Sequence, residues 1–197
     1  MLFCIEIAGT LFGLLCVVLV IRRSIWCWPV GLVQVMLFII IFYNAKLYSD
    51  LLLHVIYVGM QIYGWYYWLK HGGEQADGAL VVESMSLRQL TAWIAATAAG
   101  TLLLGYLMQR WTDAAVPYGD AFTTVASLVA QFLLARKFLE NWLFWIVVDV
   151  VAIGIYYYKN LQPTTVLYTV FLILAVIGYV SWRRRMSQQQ IVQECMV

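Results

Sequence analysis

Long apolar runs, separated by short polar or charged segments, follow one another along the whole chain. A membrane-spanning helix needs about 20 consecutive apolar residues, with a range of about 17–25. The pattern therefore predicts seven transmembrane helices, of which the fifth is short and the most polar. These predicted spans lie at 4–21, 26–43, 49–69, 89–108, 119–135, 142–158 and 164–182.

Composition agrees with a membrane protein and excludes several kinds of site. Of the 197 residues, 64% are hydrophobic and 11% are charged, and the mean hydropathy is +0.84. A soluble domain of this size could not bury so much apolar surface, so we expect an all-α integral membrane protein surrounded by membrane lipid. The sequence contains no P-loop motif and no CxxC pair, and its two histidines are far apart. We expect no cofactor, no metal and no nucleic-acid partner.

Lysine and arginine lie outside the predicted spans or at their ends, and their distribution predicts the orientation. One side receives nine of them: Arg22, Arg23, Lys70, Arg88, Arg136, Lys137, Arg183, Arg184 and Arg185. The other side receives three: Lys46, Arg110 and Lys159. We therefore expect an external N-terminus and a cytoplasmic C-terminus. The longest loop, 70–86, would face the cytoplasm, and its Gly, Glu and Asp content predicts a flexible linker.

The chain also matches itself, without a gap, at a shift of 114 residues. The matches include Arg22–Arg23 with Arg136–Lys137, Trp28 with Trp142, and Gly64 and Trp68 with Gly178 and Trp182. Helices 1–3 would then duplicate helices 5–7, and helix 4 would return the chain, which gives a parallel 3+1+3 repeat. Such repeats are a transporter architecture with the substrate site near the midplane between the halves. A structural duplication without transport is the alternative.

This repeat divides the chain into four parts. We predict a first three-helix repeat at 1–69 and a cytoplasmic loop with linker helix 4 at 70–118. A second three-helix repeat follows at 119–185, and a cytoplasmic tail at 186–197.

Polar residues fall on one face of three predicted helices, because positions three, four and seven apart share a face. In-membrane polar groups usually face a bundle interior or a wet cavity. Three such stripes could therefore converge on one cavity. They are Trp142, Trp145, Asp149 and Tyr156 on helix 6, with Asn141 at the edge; Asp50, His54, Tyr57, Gln61, Gly64 and Trp68 on helix 3; and Asp120, Thr124, Ser127 and Gln131 on helix 5.

The deepest of these polar residues have apolar partners in the repeat, which favours a function over simple packing. Each candidate still has a structural alternative. Tryptophans near helix ends are common in the interfacial belt. Hydroxyl groups can bond their own helix, and acids at helix ends are often solvated or capping. The apolar partners are Ala175 for Gln61, Phe171 for Tyr57, Gly31 for Trp145 and Val35 for Asp149.

The chemistry of these residues suits a flat, cationic solute that carries hydroxyl groups. The inventory is aromatic rings, one deep acid, an amide and hydroxyls, and we expect no buried lysine or arginine to partner a phosphate. Tryptophan faces attract cations, by roughly 0.5–2 kcal/mol each. An amide such as that of Gln61 can both donate to and accept from a carboxamide or a ribose.

Two segments, 28–68 and 118–161, carry a resemblance to a known family. The first contains "QIYGW", Gln61 to Trp65, and the second contains "NWLFWIVVD", with Asn141, Trp142, Trp145 and Asp149 in an NWxxWxxxD pattern. Together with the closing "GYVSWRRR", they resemble the PnuC family of bacterial vitamin transporters over nearly the whole chain, most weakly at 70–88.

The resemblance implies a SWEET-like fold, usually a homotrimer, in the bacterial inner membrane. It implies uptake of nicotinamide riboside, an NAD precursor, by facilitated diffusion that phosphorylation inside the cell would drive. Thiamine, riboflavin or a deoxynucleoside is the alternative within the family. Outside transport, an intramembrane enzyme using Asp149 as general acid or base, or a purely structural subunit, remains open. We expect that the protein is not an enzyme.

Overall fold

The computed structural model describes residues 2–46, 48–71, 81–112 and 114–195. These residues form seven α-helices that follow one another along the chain. The helices are α1 (Leu2–Ile21), α2 (Cys27–Asn44), α3 (Tyr48–Lys70), α4 (Leu87–Trp111), α5 (Pro117–Ala135), α6 (Asn141–Tyr158) and α7 (Gln162–Cys195).

The prediction of an all-helical membrane protein is confirmed, and the helices begin and end close to the predicted positions. Within the described chain, six helices are long and apolar enough to cross a membrane, and α3 is not among them. With 23 residues α3 is long enough, but it is rich in tyrosine and tryptophan, whose polar tips lower its hydropathy. Helix α7 continues 13 residues past the predicted end at 182, as far as Cys195.

The chain forms two compact units, Met1–Val81 and Val82–Val197. In the first unit, α2 packs against both α1 and α3. In the second unit, α5 packs between α4 and α6, and α6 packs against α7. Helix α4 begins with a capping box between Ser86 and Gln89, and α5 begins with Pro117 at a position that favours proline.

Four non-glycine residues in the described chain adopt a left-handed backbone conformation, each just after a helix. They are Arg23 (φ 57°), Lys46 (φ 58°), Lys137 (φ 63°) and Asn160 (φ 57°). At Arg23 and Lys137 the backbone hydrogen bonds follow the Schellman pattern, which satisfies the last carbonyls of a helix. Arg23 and Lys137 lie 114 residues apart, as do Lys46 and Asn160, so the helix ends have the same form at both matched positions.

The same contact between two tryptophans and a glycine is found in both units. In the first unit the rings of Trp28 and Trp68 meet edge to face at 5.2 Å, and a Cβ at Gly64 would overlap the Trp28 ring. In the second unit the Trp142 and Trp182 rings meet at 5.7 Å. There, Gly178 contacts Trp142 as Gly64 contacts Trp28. These glycines let the neighbouring helix accept a buried indole.

Candidate functional site

The carboxyl group of Asp149 is the deepest acidic group of the predicted site. Asp149 lies in the middle of α6 and is only 4% exposed. No described residue forms a hydrogen bond with its carboxyl group. Burying an acid without a partner is costly, so the prediction that Asp149 contacts a polar or cationic solute would account for its position.

Trp145 lies four residues before Asp149 and is half-buried. Its ring packs against an apolar cluster in the second unit, formed by Met85, Ala130, Leu133 and Phe144. The ring therefore packs on this cluster while part of its surface stays exposed.

Asn141 and Trp142, at the start of α6, are more deeply buried than residues of an interfacial belt would be. Asn141 is fully buried, and its Nδ2 donates to the carbonyl of Phe138 at 2.6 Å. Trp142 is 2% exposed and packs on Trp182. Because Trp28 makes the same contact in the first unit, packing explains the position of Trp142 without a ligand. Its Nε1 and the Oδ1 of Asn141 are buried without a partner among the described residues.

Tyr156 lies on the second half of α6 and is half-buried. Its ring stacks on Tyr168 of α7, with centroids 5.1 Å apart. This contact joins the two helices near the end of α6.

Helix α5 places its predicted polar residues at two degrees of burial. Gln131 and Ser127 are each 7% exposed, whereas Thr124 is half-buried. The Ser127 hydroxyl donates to the Thr124 carbonyl at 3.0 Å. Asp120 instead accepts from Lys159 Nζ at 3.0 Å on both oxygens, an ion pair between the first turn of α5 and the end of α6. Of these residues, Gln131 retains the most free hydrogen-bonding capacity, since no described residue bonds its amide.

On α3 part of the predicted stripe is buried. Trp65, the last residue of the QIYGW motif, is exposed. Gln61 is 7% exposed, Tyr57 is half-buried and Trp65 is 36% exposed. The Tyr57 ring meets that of His54 edge to face at 5.8 Å. His54 in turn packs on Phe42 at 4.8 Å, which gives this histidine a packing role.

Two glutamines of the first unit lie against glycines, and sequence reasoning missed one of them. The Gln61 amide lies against Gly31, where a Cβ would overlap it. Gln34 of α2 places its Nε2 2.8 Å from where a Cβ on Gly13 would be. The signal for Gln34 was a lone amide in the apolar run "VGLVQVMLF". Both amides are therefore fitted to the backbone of a neighbouring helix.

The expectation that no lysine is buried was wrong at one position. Lys137, in the turn between α5 and α6, is 4% exposed. Burial lowers the pKa of its ammonium group, and the nearby charge of Glu83 opposes that shift. The spans α1, α2, α5 and α6 still contain no lysine or arginine. The expectation that phosphate finds no cationic partner therefore remains a prediction for these four helices and does not extend to the turn.

Among the described residues, neither a cluster of metal ligands nor the open groove in the second unit adds a second candidate site. Within the described chain, no three histidine, cysteine or acidic side chains group together as metal ligands. An open groove of 490 Å³ contains none of the predicted site residues. Its lining is Ala115, Val116, Val150, Val151, Gly154, Ile155 and Tyr158.

Comparison with known proteins places these features in a family. The family model described as nicotinamide mononucleotide transporter matches residues 3–184. The chain is 32% identical to the nicotinamide riboside transporter PnuC of Neisseria mucosa, over 87% of this chain and 69% of that protein. It is 29% identical to PnuC of Escherichia coli, over 90% and 84% respectively. It is also 28% identical to the riboflavin/roseoflavin transporter RibM of Streptomyces davaonensis, over 90% and 83%.

A solved structure gives the same result for the fold. The crystal structure of the vitamin B3 transporter PnuC superimposes with a TM-score of 0.75 at 28% identity, covering 92% of this chain and 81% of that one. The seven-helix arrangement and the family match thus extend over nearly the same residues. This chain belongs to the nicotinamide mononucleotide transporter family.

Proposed function

We propose that this protein transports nicotinamide riboside across the bacterial inner membrane as a multi-pass carrier. The observation that carries the proposal is the match, over most of both chains, to PnuC transporters named for this substrate. The six apolar helices agree with a membrane location. The protein would return its solute chemically unchanged, so we propose no enzymatic step.

The polar groups of the second unit supply the recognition that this solute needs. Nicotinamide riboside carries a pyridinium cation, a carboxamide and a ribose without phosphate. We propose that Asp149 bonds the ribose or balances the pyridinium, and that Trp145 stacks on the ring. Gln131, Ser127 and Thr124 would add hydrogen bonds.

In the first unit, Gln61 and Tyr57 remain our proposed substrate contacts. Gln61 is buried and its amide can pair with a carboxamide. Gln34 joins this proposal because it has the same chemistry and a similar fit against a glycine. Further proposed contacts are Asn141, Trp142, Trp65 and Tyr156. Packing already explains Trp142 and Tyr156, and Trp65 is exposed.

We also propose that helices α1–α3 and α5–α7 form a parallel 3+1+3 repeat of the SWEET type, with α4 as the link. The matched left-handed turns and the matched tryptophan–glycine contacts support this duplication. With nine basic residues on one side and three on the other, the N-terminus would be external and the C-terminus cytoplasmic. The family resemblance further suggests a homotrimer and facilitated diffusion.

Riboflavin is the alternative substrate that a specific comparison favours, because RibM is almost as similar to this chain as the PnuC proteins are. Thiamine, another aromatic cation, fits the same side chains. Calorimetric titration of the detergent-purified protein with nicotinamide riboside, thiamine and riboflavin separates them. We expect saturable binding of nicotinamide riboside and at least tenfold weaker binding of the others, about 1.4 kcal/mol. Preferential binding of riboflavin or thiamine would overturn the substrate proposal while leaving the transporter class intact.

A further inference from the structure

A short segment before α4 lies against the turn between α5 and α6. We call this segment, residues 82–86, the strap. Glu83 pairs with Phe138 in a parallel β-bridge. The Glu83 backbone N–H donates to the Lys137 carbonyl at 3.1 Å, and the Leu139 N–H donates to the Glu83 carbonyl at 2.8 Å. This part of the loop is therefore bonded to the second unit, so the prediction of a flexible linker was wrong for 82–86, whereas 72–80 lie outside the described residues.

The side chain of Glu140 fixes the strap at a second point. Glu140 is 7% exposed, and its Oε1 accepts from Ser84 Oγ at 2.7 Å and from the Met85 backbone N–H at 3.1 Å. Met85 then enters the apolar cluster that also contacts Trp145. One carboxyl oxygen therefore holds the strap where its side chains join the core of the second unit.

The extension of α7 supplies a third point. The Oε1 atom of Gln189 accepts from the Val82 N–H at 3.3 Å. Ser86, at the other end of the strap, caps α4. The strap thus links the start of α4, the α5–α6 turn and the end of α7.

The matched turn of the first unit is built differently. The residue that corresponds to Glu140 at the 114-residue shift is Trp26, which is 67% exposed. The backbone turn itself is alike, with Arg23 and Lys137 both left-handed. The buried carboxyl group and the segment it holds therefore belong to the second unit alone among the described turns.

Glu140 is also the residue that immediately precedes α6. It occupies the N-cap position but makes no side-chain capping bond to its own helix, because its carboxyl group is directed to the strap. Trp145 and Asp149 follow on the same helix, five and nine residues later. A shift at Glu140 would therefore move the side chains proposed to hold the solute.

We propose that Glu140 is a positioning residue for substrate binding, which acts by tying the strap to the start of α6. This inference rests on the proposed function for the identity of the ligand. The contacts of Glu140 with the strap do not depend on that function. Through Met85, the strap belongs to the same apolar cluster as Trp145 and the start of α4. The binding residues of α6 would then be held in place from outside their own helix.

Glu140→Ala removes the acceptor, whereas Glu140→Gln retains a carbonyl oxygen for Ser84 and Met85. We expect Glu140→Ala to weaken nicotinamide riboside binding at least fivefold, and Glu140→Gln to stay within about twofold of wild type. Trp26→Ala changes the matched position of the first unit and serves as the control, with unchanged affinity. Calorimetry on size-checked protein gives the dissociation constants.

Hydrogen exchange provides a readout that does not depend on the ligand. The Glu83 and Leu139 amides should exchange faster in Glu140→Ala than in wild type, and the first turn of α6 should follow them. If Glu140→Ala does not survive purification, Ser84→Ala removes one of the two bonds and should show the same changes to a smaller degree.

The outcomes separate the two proposals. Faster exchange at Leu139 together with unchanged affinity in Glu140→Ala would overturn the positioning role, and so would affinity lost equally in Glu140→Gln. If wild type binds no nicotinamide riboside, the proposed function fails. In that case, faster exchange at Trp142–Trp145 in Glu140→Ala would support the positioning role, and unchanged exchange would overturn it.

Discussion

Asp149 is an acid in the middle of a membrane-spanning helix, and its burial decides how it is interpreted. Insertion scales give about 2.5–3.5 kcal/mol for aspartate at a helix centre. At 4% exposure the side chain is removed from the surface of the protein, and no described hydrogen-bond partner offsets the cost. A bound solute would supply the missing partner.

We predict that Asp149→Ala weakens nicotinamide riboside binding by roughly 1–3 kcal/mol. This is the cost of losing a charged hydrogen-bond partner. Calorimetric titration of purified, size-checked protein measures the change. Removing the acid also removes its burial cost, so the variant should be no less stable than wild type.

Val148→Ala is the control for Asp149→Ala, because Val148 is equally buried at 4% and lies one residue away. It should lower the melting temperature through the cavity it leaves and leave the affinity nearly unchanged. An Asp149→Ala variant that binds like wild type but melts earlier would make the acid structural. The binding role would then pass to the glutamines.

Periodicity found most of the buried polar residues but could not rank them. The three-and-four spacing placed Gln61, Ser127, Gln131 and Asp149 on inner faces, and all four are buried. The structural alternative for the hydroxyl groups applies to Ser127, which bonds the carbonyl of Thr124 in its own helix. Periodicity also missed Gln34, whose environment depends on Gly13, a residue of another helix.

At the scale of helices, Gly64 and Gly178 make the two tryptophan contacts possible. We predict that Gly178→Ala and Gly64→Ala each destabilise the protein, because the added methyl group overlaps a rigid indole. Overpacking of this kind costs about 1–3 kcal/mol. The gain in helix propensity of about 1 kcal/mol offsets part of that cost, so we expect a net loss of up to about 2 kcal/mol. Thermal unfolding in detergent measures the loss.

Gly59 and Gly154 provide matched controls for these two changes. A Cβ at either position meets no atom within 4 Å. Gly59→Ala and Gly154→Ala should therefore be neutral or slightly stabilising. If Gly178→Ala melts at the same temperature as Gly154→Ala, the proposed close contact between α6 and α7 is incorrect.

The sequence predicted the helices better than it predicted what covers their ends. The 114-residue shift paired Trp28 with Trp142, yet a tryptophan near a helix end is typical of the interfacial belt. Both are buried, because a glycine on the next helix makes room.

The strap was missed for a similar reason. Its composition is typical of a linker, and its order comes from Glu140, more than 50 residues away.

At the scale of the whole molecule, the distribution of basic residues predicts the orientation in the membrane. Nine basic residues on one side against three on the other predict a cytoplasmic C-terminus. A reporter fused after Val197 should therefore be active as a cytoplasmic fusion. Activity only on the periplasmic side would contradict the orientation and the number of spans together.

Substrate charge provides a second test at this scale, because the family description names the mononucleotide while the PnuC relatives are named for the riboside. We predict that nicotinamide mononucleotide binds at least tenfold more weakly than nicotinamide riboside, about 1.4 kcal/mol or more. Helices α5 and α6 contain no lysine or arginine that could pair with a phosphate group beside them. Competition calorimetry compares the two ligands, and equal affinities would point to a cationic partner such as Lys137.

The most direct test of transport is uptake of labelled nicotinamide riboside by proteoliposomes that contain only this purified chain. We predict saturable uptake that stops when the inner and outer concentrations are equal, with the compound recovered unchanged and the rate reduced in Asp149→Ala. Uptake no faster than into protein-free liposomes would contradict a carrier function. Recovery of a chemically altered product would instead indicate an enzyme.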